Sequence, residues 1–146
     1  MSVFGALDTS ASGMTAQRLR TDIISQNIAN VNTTRDADGN VYKRKTVVFQ
    51  EKSPSAFSNA LNSAMGTTTN SRGVKVTEII EDPSEGRKVY DPSHPDADAD
   101  GYVTYPNVNT VTEMTNLIDA SRSYEANVTA FNATKSMALK ALEVGK

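Results

Sequence analysis

The sequence predicts an α+β fold, with a long helix at each end and a small β-rich insertion between them. Three observations predict it. All five prolines and most of the glycines lie between residues 35 and 107, and these residues punctuate turns. From residue 108 onward there is no proline, and the only glycine is penultimate. Apolar residues recur at steps of three and four near both ends, but alternate or cluster with β-branched neighbours in the middle. The chain therefore divides into an N-terminal helix over 1–35, an insertion over 36–107 and a C-terminal helix over 108–146.

In the first segment Phe4, Leu7, Ala11 and Met14 keep steps of 3, 4 and 3. The stripe then shifts and continues through Leu19, Ile23 or Ile24, Ile28 and Val31. A drifting stripe suits a helix that twists around a neighbour or touches several. The remaining positions are small or polar, among them Ser10, Ser12, Thr15, Gln17, Gln26, Asn27 and Asn30. A solvated helix ordinarily carries a charged outer face, and this one mostly lacks it.

In the insertion, Asp36 to Asn40 reads as a turn. VYKRKTVVFQ (Val41 to Gln50) and GVKVTEIIE (Gly73 to Glu81) read as strands, with shorter candidates at RKVYD (Arg87 to Asp91) and GYVTY (Gly101 to Tyr105). Residues 52–72 carry no sustained strand pattern and read as a long mobile loop with a helical turn around Ala56 to Met65.

The last segment has the strongest periodicity. Met114, Leu117, Ser121, Tyr124, Val128, Phe131, Lys135, Ala138 and Leu142 keep alternating steps of 3 and 4, which is a heptad line over four heptads. Ser121 is small and Lys135 is the one clear breach. A helix over about 110–143 would be roughly 50 Å long, with Thr110 or Thr112 as its cap.

Composition removes whole classes of function. The chain of 146 residues has no cysteine and one histidine, which excludes disulfides, thiolate metal sites, thiol catalysis and histidine-rich metal centres. Its net charge of -2 provides no positive field to gather phosphates, so nucleic acid is not an expected partner. No apolar run reaches the ~20 residues that span a bilayer, so no membrane insertion is expected. The start MSVFGALDTSASGM lacks the basic and apolar regions of a secretory signal, so export without a cleaved signal, or none, is expected.

Only 38% of residues are hydrophobic and 6% aromatic, so the core must be thin or completed by other copies. A long helix is marginal without packing. The two terminal helices bury one line against each other, and their other faces are expected to be finished by further subunits.

Little of the sequence carries chemistry. Asp96, Asp98, Asp100 and Gly101 match the first half of a calcium loop, but Asn107 stands where a bidentate Glu is required, and prolines precede the loop. A solvated acidic turn is the better reading. His94, between prolines, reads as a loop residue, and Lys43-Arg44-Lys45 as a strand facing solvent or a subunit. There is no phosphate-binding Gly-rich loop and no nucleophile elbow. No cofactor, metal or catalytic residue is expected.

The residues do carry a resemblance. IISQNIANVNTT (Ile23 to Thr34) resembles the N-terminal signature of bacterial flagellar axial proteins, whose shared core is an ANxNT run, here Ala29 to Thr33. EMTNLIDASRSYEANVTAFNATKSMALKALEVGK (Glu113 to Lys146) resembles the matching C-terminal end. Short length, DGYVTYPNVN and RSYEAN are similar to the rod members of that family. Thr33-Thr34-Arg35-Asp36 replaces a more usual Pro-Gly-Tyr-like turn.

The resemblance implies a structural, non-enzymatic protein of the basal-body rod. It implies export by the flagellar type III apparatus and assembly with other rod proteins and further copies into a helical tube. That tube crosses the periplasm, transmits torque and surrounds the export channel. The residues expected at helix-packing and subunit interfaces are Leu7, Met14, Ile24, Ile28, Asn30, Asn32, Met114, Leu117, Tyr124, Val128, Phe131 and Leu142. The N-terminal set is expected to pack on Leu117, Tyr124, Val128 and Phe131. Asn27, Asn30 and Asn32 are expected to bond backbone at helix ends or between subunits.

Overall fold

A computed structural model describes residues 3–36, 39–53, 56–66 and 73–144. The order of elements is α1 (Val3–Ala29), β1 (Lys45–Glu51), α2 (Ala56–Met65), β2 (Val74–Glu81), β3 (Arg87–Tyr90), β4 (Tyr102–Tyr105) and α3 (Thr110–Val144). This is the α+β arrangement the sequence predicts: long terminal helices and a small insertion holding two two-stranded sheets. No helix among the described residues is long and apolar enough to cross a membrane.

All four expected strands form. The first starts at Lys45 rather than Val41. Its partner is β2, and bonds from Lys52 N–H to Gly73 O (2.7 Å) and from Asp82 N–H to Arg44 O (2.8 Å) flank the pair in antiparallel sense. Strands β3 and β4 are antiparallel, with Arg87 opposite Tyr105 and Tyr90 opposite Tyr102. Within the stretch read as a mobile loop, Ala56 to Met65 is a full ten-residue helix. Positions 54–55 and 67–72 of that stretch lie outside the described residues, as do 37–38 of the expected turn. Asp36 and Asn40 do bracket a turn: Asp36 N–H donates to Asn40 O at 2.8 Å, and the Asp36 carboxylate accepts from Asn40 N–H at 2.9 Å. Gly39, with φ 84°, supplies the left-handed residue that turn needs.

Helix ends follow local chemistry. The cap of α3 is Asn109, one residue before the expected Thr110. Its Oδ1 accepts the N–H groups of Val111 (3.0 Å) and Thr112 (3.2 Å), two donors that the first turn leaves without helical partners. A carboxamide reaches these donors without giving up a helical residue, so Asn109 outcompetes the hydroxyl of Thr110. At the other end of the chain, α1 closes on Asn30. Its Nδ2 and its own N–H both donate to Gln26 O, at 2.9 and 3.1 Å. The following Thr33 N–H donates to Asn30 O at 3.0 Å, closing the turn where the sequence departs from the common family pattern.

By contacts the chain forms two compact units, one of Met1–Arg18, Phe49–Thr77 and Ser121–Lys146, the other of Leu19–Val48 and Glu78–Ala120. Both long helices and the β1–β2 pair run through both units. The second unit holds most of the core: Ile23, Ile24, Val103 and Ala120, with the polar Asn27 and Glu113. The first unit buries Ser12 and Ala16. Among the described residues, five apolar side chains are buried while seventeen large apolar ones are exposed, so the chain's own core is thin.

Candidate functional site

The sequence points to packing residues on the two long helices rather than to a catalytic pocket, and the structure gives the burial of each within one copy. On α3 the buried and half-buried line runs through Glu113, Leu117, Ala120, Asn127, Phe131, Thr134 and Ala138. Four of the nine positions of the expected heptad line are half-buried, Leu117, Val128, Phe131 and Ala138, while Tyr124 is exposed at 39%. Three others are displaced by one residue. Met114 is exposed at 56%, and Ser121 and Lys135 are exposed, while Glu113, Ala120 and Thr134 turn inward. Val128 is half-buried beside Asn127, and Leu142, at 71%, lies on the surface. On α1, Ile24 is buried, Leu7, Met14, Ile28 and Asn30 are half-buried, and Asn32 is exposed.

The displacement has a physical cause in the second unit, where polar side chains fill the inner line. Asn27 on α1 is fully buried. Its Nδ2 donates to Lys45 O (2.8 Å) and to Glu113 Oε2 (2.9 Å). Its Oδ1 accepts from Lys45 N–H (2.9 Å) and from the Tyr42 hydroxyl (2.9 Å). The carboxamide thus bonds both backbone groups of Lys45, as an adjacent strand would, and all four of its bonding positions are used. Glu113 stands in the first turn of α3, where the helix dipole favours a carboxylate. Its Oε1 accepts from Arg44 Nε (2.9 Å) and lies 2.8 Å from Arg44 Nη2.

Arg44 ties the group to the insertion. Its N–H donates to Asn107 Oδ1 (2.9 Å), and its guanidinium lies 3.9 Å from Asp82. A buried carboxylate is tolerable because it meets both a cation and an amide. Burial pushes the Tyr42 phenol up from its ordinary range, and the fields of Glu113 and Glu81 add to that. The basic run Lys43-Arg44-Lys45 is therefore largely answered within the chain: Arg44 is paired, and the Lys45 ammonium lies 5.8 Å from the Tyr42 ring centre.

In the first unit α1 is approached closely by β2 and α3. The Ser12 hydroxyl donates to Thr9 O (2.7 Å) and accepts from Val74 N–H (3.0 Å), pinning the start of β2 to α1. A β-carbon on Gly73 would collide with Ser12, and one on Gly13 would lie 2.7 Å from Asn127 Oδ1. Both glycines are spacers that let backbones approach.

The acidic loop is built for itself. Asp96 accepts from the Thr34 hydroxyl (2.8 Å) and pairs with Arg35 (3.5 Å). Asp98 accepts the N–H groups of Asp100 and Tyr102. His94 accepts Asp96 N–H on Nδ1, and its ring lies edge-on to Tyr105. Among the described residues, no group of three or more His, Asp or Glu side chains is placed to hold a metal ion.

The family model "Flagella basal body rod protein" matches residues 7–35, and "Flagellar basal body rod FlgEFG protein C-terminal" matches 99–144. The flagellar basal-body rod protein FlgC of Bacillus subtilis is 52% identical, with all of both chains covered. The chain belongs to the FlgC family of flagellar basal-body rod proteins. Flagellar basal-body rod proteins FlgC from Borreliella burgdorferi and Escherichia coli O6:H1 are each 42% identical, over 99% and 100% of this chain and 98% and 100% of theirs. The two family matches fall on α1 with its closing turn and on α3 with β4 before it. These stretches contain Asn27, Asn30 and Glu113.

Sequence reasoning missed Glu113 and Arg44 as a pair. One signal was available: Glu113 is the only acidic residue in the first turn of α3 and lies one heptad before Ala120.

Proposed function

We propose that this protein is a structural, non-catalytic subunit of the bacterial flagellar basal-body rod. It joins further copies of itself and other rod proteins in a helical tube that transmits torque and surrounds the export channel. It reaches the rod, where the rod crosses the periplasm, through the flagellar type III export apparatus without a cleaved signal peptide. Family membership supports the rod role, and one observation carries the assembly reading: both helices expose apolar side chains among hydroxyls that already bond within their own helix.

Thr9, Thr15, Thr115, Thr129 and Thr134 each donate to the carbonyl four residues earlier, at 2.9–3.0 Å. Such hydroxyls need no water partner, so burying them against a neighbour costs little desolvation. Between them stand exposed apolar side chains: Phe4, Met114, Ile118, Met137, Leu139 and Leu142. A shaft that must not slip needs wide contacts of this kind.

The test is Ile118→Asp. Ile118 is 53% exposed, so the soluble chain should keep its stability within about 0.5 kcal/mol. In an assembled rod the same charge would be buried without a partner. Rods should fail to form and swimming should stop. Normal motility with this variant would contradict the reading.

A further inference from the structure

Exposed charge is scarce along the two long helices, and most of each helix's middle carries none. Between Thr9 and Ala29 of α1 the only exposed charges are Arg18 and Asp22. Arg20 is half-buried and, two residues on from Arg18, points to another side of the helix. Between Met114 and Thr134 of α3 the only charges are Asp119, Arg122 and Glu125, all exposed. Asp8 lies outside the first band, and Lys135, Lys140 and Glu143 lie outside the second.

The spacing within each band places its charges together. Arg18 and Asp22 are four residues apart and share a face of α1. Asp119, Arg122 and Glu125 stand at steps of three, with the cation between two carboxylates. None of the five enters an ion pair within the chain: among the described residues the ion pairs are Arg35–Asp96, Arg44–Asp82 and Arg44–Glu113. Around the second band stand Ile118, 53% exposed, and the hydroxyls of Thr115 and Thr129, which already bond within α3.

We propose that the Arg18–Asp22 band of α1 docks on the Asp119–Arg122–Glu125 band of α3 in a second copy of this chain, with Asp22 against Arg122. The signs complement each other in either sense of the helices. In the parallel sense Arg18 meets Asp119, and in the antiparallel sense it meets Glu125. A shift of one turn sets Arg18 against Arg122 and Asp22 against a carboxylate, and facing like charges oppose that register. The bands therefore select which surfaces meet and at what height along the helix. The Lys140–Glu143 pair is a poorer partner, because its single carboxylate complements the α1 band in one sense only. Bands of alternating sign suit neither nucleic acid nor an anionic lipid surface, which gather cations. Two unlike patches make a head-to-tail contact, and one that does not close generates a helical assembly. The inference rests on the rod reading and adds to it a named contact and its register.

Exchange of the charges tests it. Asp22→Arg, Arg122→Asp, the double variant and the two singles co-expressed each replace the parent chain, and swimming and the yield of rods in isolated basal bodies are scored. Each single variant should lower rod yield at least about tenfold, because like charges then face each other. The double variant should restore it. Co-expression of the two singles should restore it as well, since each chain then meets its complement on the other. Urea midpoints of the soluble single variants should stay close to the parent's, because both side chains are exposed.

Full rod yield from either single variant would overturn the docking and leave the rod reading standing. Restoration by the double variant but not by co-expression would overturn it in favour of a contact within one copy, as would a urea midpoint lowered as far as that of Glu113→Ala. Loss that neither combination restores would overturn it in favour of another rod protein at these bands. Absence of the parent chain from isolated rods would remove both readings.

Discussion

The two compact units solve the same problem by different means. The second closes on itself: Ile23, Ile24 and Val103 are buried, and Asn27, Glu113, Arg44 and Tyr42 satisfy one another. The first has little of its own to close on. It buries Ser12 and Ala16, while Phe4, Phe57, Met137, Leu139, Leu142 and Val144 stay exposed. The same two helices pass through both. The difference teaches that a helix can be anchored by its own chain along one stretch and left for neighbours to finish along the next.

The largest expected effect breaks the anchored half. Glu113→Ala strands the Arg44 guanidinium and the Asn27 amide together. Breaking a buried pair costs about 3–5 kcal/mol, and the lower end applies because the Arg44 side chain is 25% exposed. Urea unfolding of the soluble chain should show this loss, and a change under 1 kcal/mol would mean that the pair holds nothing.

Gly13→Val attacks the open half instead. Its β-carbon would meet the Asn127 carboxamide at 2.7 Å. Overpacking of this kind costs about 1–3 kcal/mol. The account places that loss in the first unit, so exchange of amides near Gly13 should rise while those around Asn27 stay protected.

Tyr42→Phe is a finer probe and should cost about 1 kcal/mol through the lost bond to Asn27. It also has a pH signature. Burial raises the phenol pKa in the folded chain above its unfolded value near 10. The neutral phenol therefore favours folding fully below pH 10, and that contribution is lost as pH rises through the folded value. The variant should flatten the alkaline arm of the stability curve.

The smallest effect lies on the acid side. The Ser84 hydroxyl and N–H hold the half-buried Asp82 carboxyl below its ordinary range, and Arg44 adds to this. That contribution is present above the ordinary carboxyl pKa and is lost as pH falls through the lowered one. Asp82→Asn should remove a slight acid dependence that urea midpoints across pH 2–5 can resolve.

Much of the fold was legible because it is written in periodicity and punctuation. Proline-free ends and β-branched runs located both long helices and all four strands. The packing line was legible only in part. Leu117, Val128, Phe131 and Ala138 follow the expected line, but Glu113, Ala120 and Thr134 hold inward places that the heptad spacing assigns to Met114, Ser121 and Lys135. A polar residue becomes a core residue when partners far along the chain satisfy it, and such partners do not show as a period. Arg44 illustrates this, since within Lys43-Arg44-Lys45 nothing separates the paired cation from its neighbours. The helix α2 was legible only as a turn, because its apolar stripe spans three residues.

Within one copy α1 and α3 are anchored at residues 19–29 and 110–120, whereas among the described residues the copy's own core is thinner along 3–18 and 121–144. Hydrogen–deuterium exchange on the dilute soluble chain tests it most directly, because protection reports local opening segment by segment. Strong protection is expected for 23–29 and 113–120, rapid exchange for 3–18 and 121–144, and recovery of protection in those outer stretches once rods are assembled. Uniform protection along both helices in the dilute chain would contradict it and would describe a closed helical hairpin that needs no neighbour.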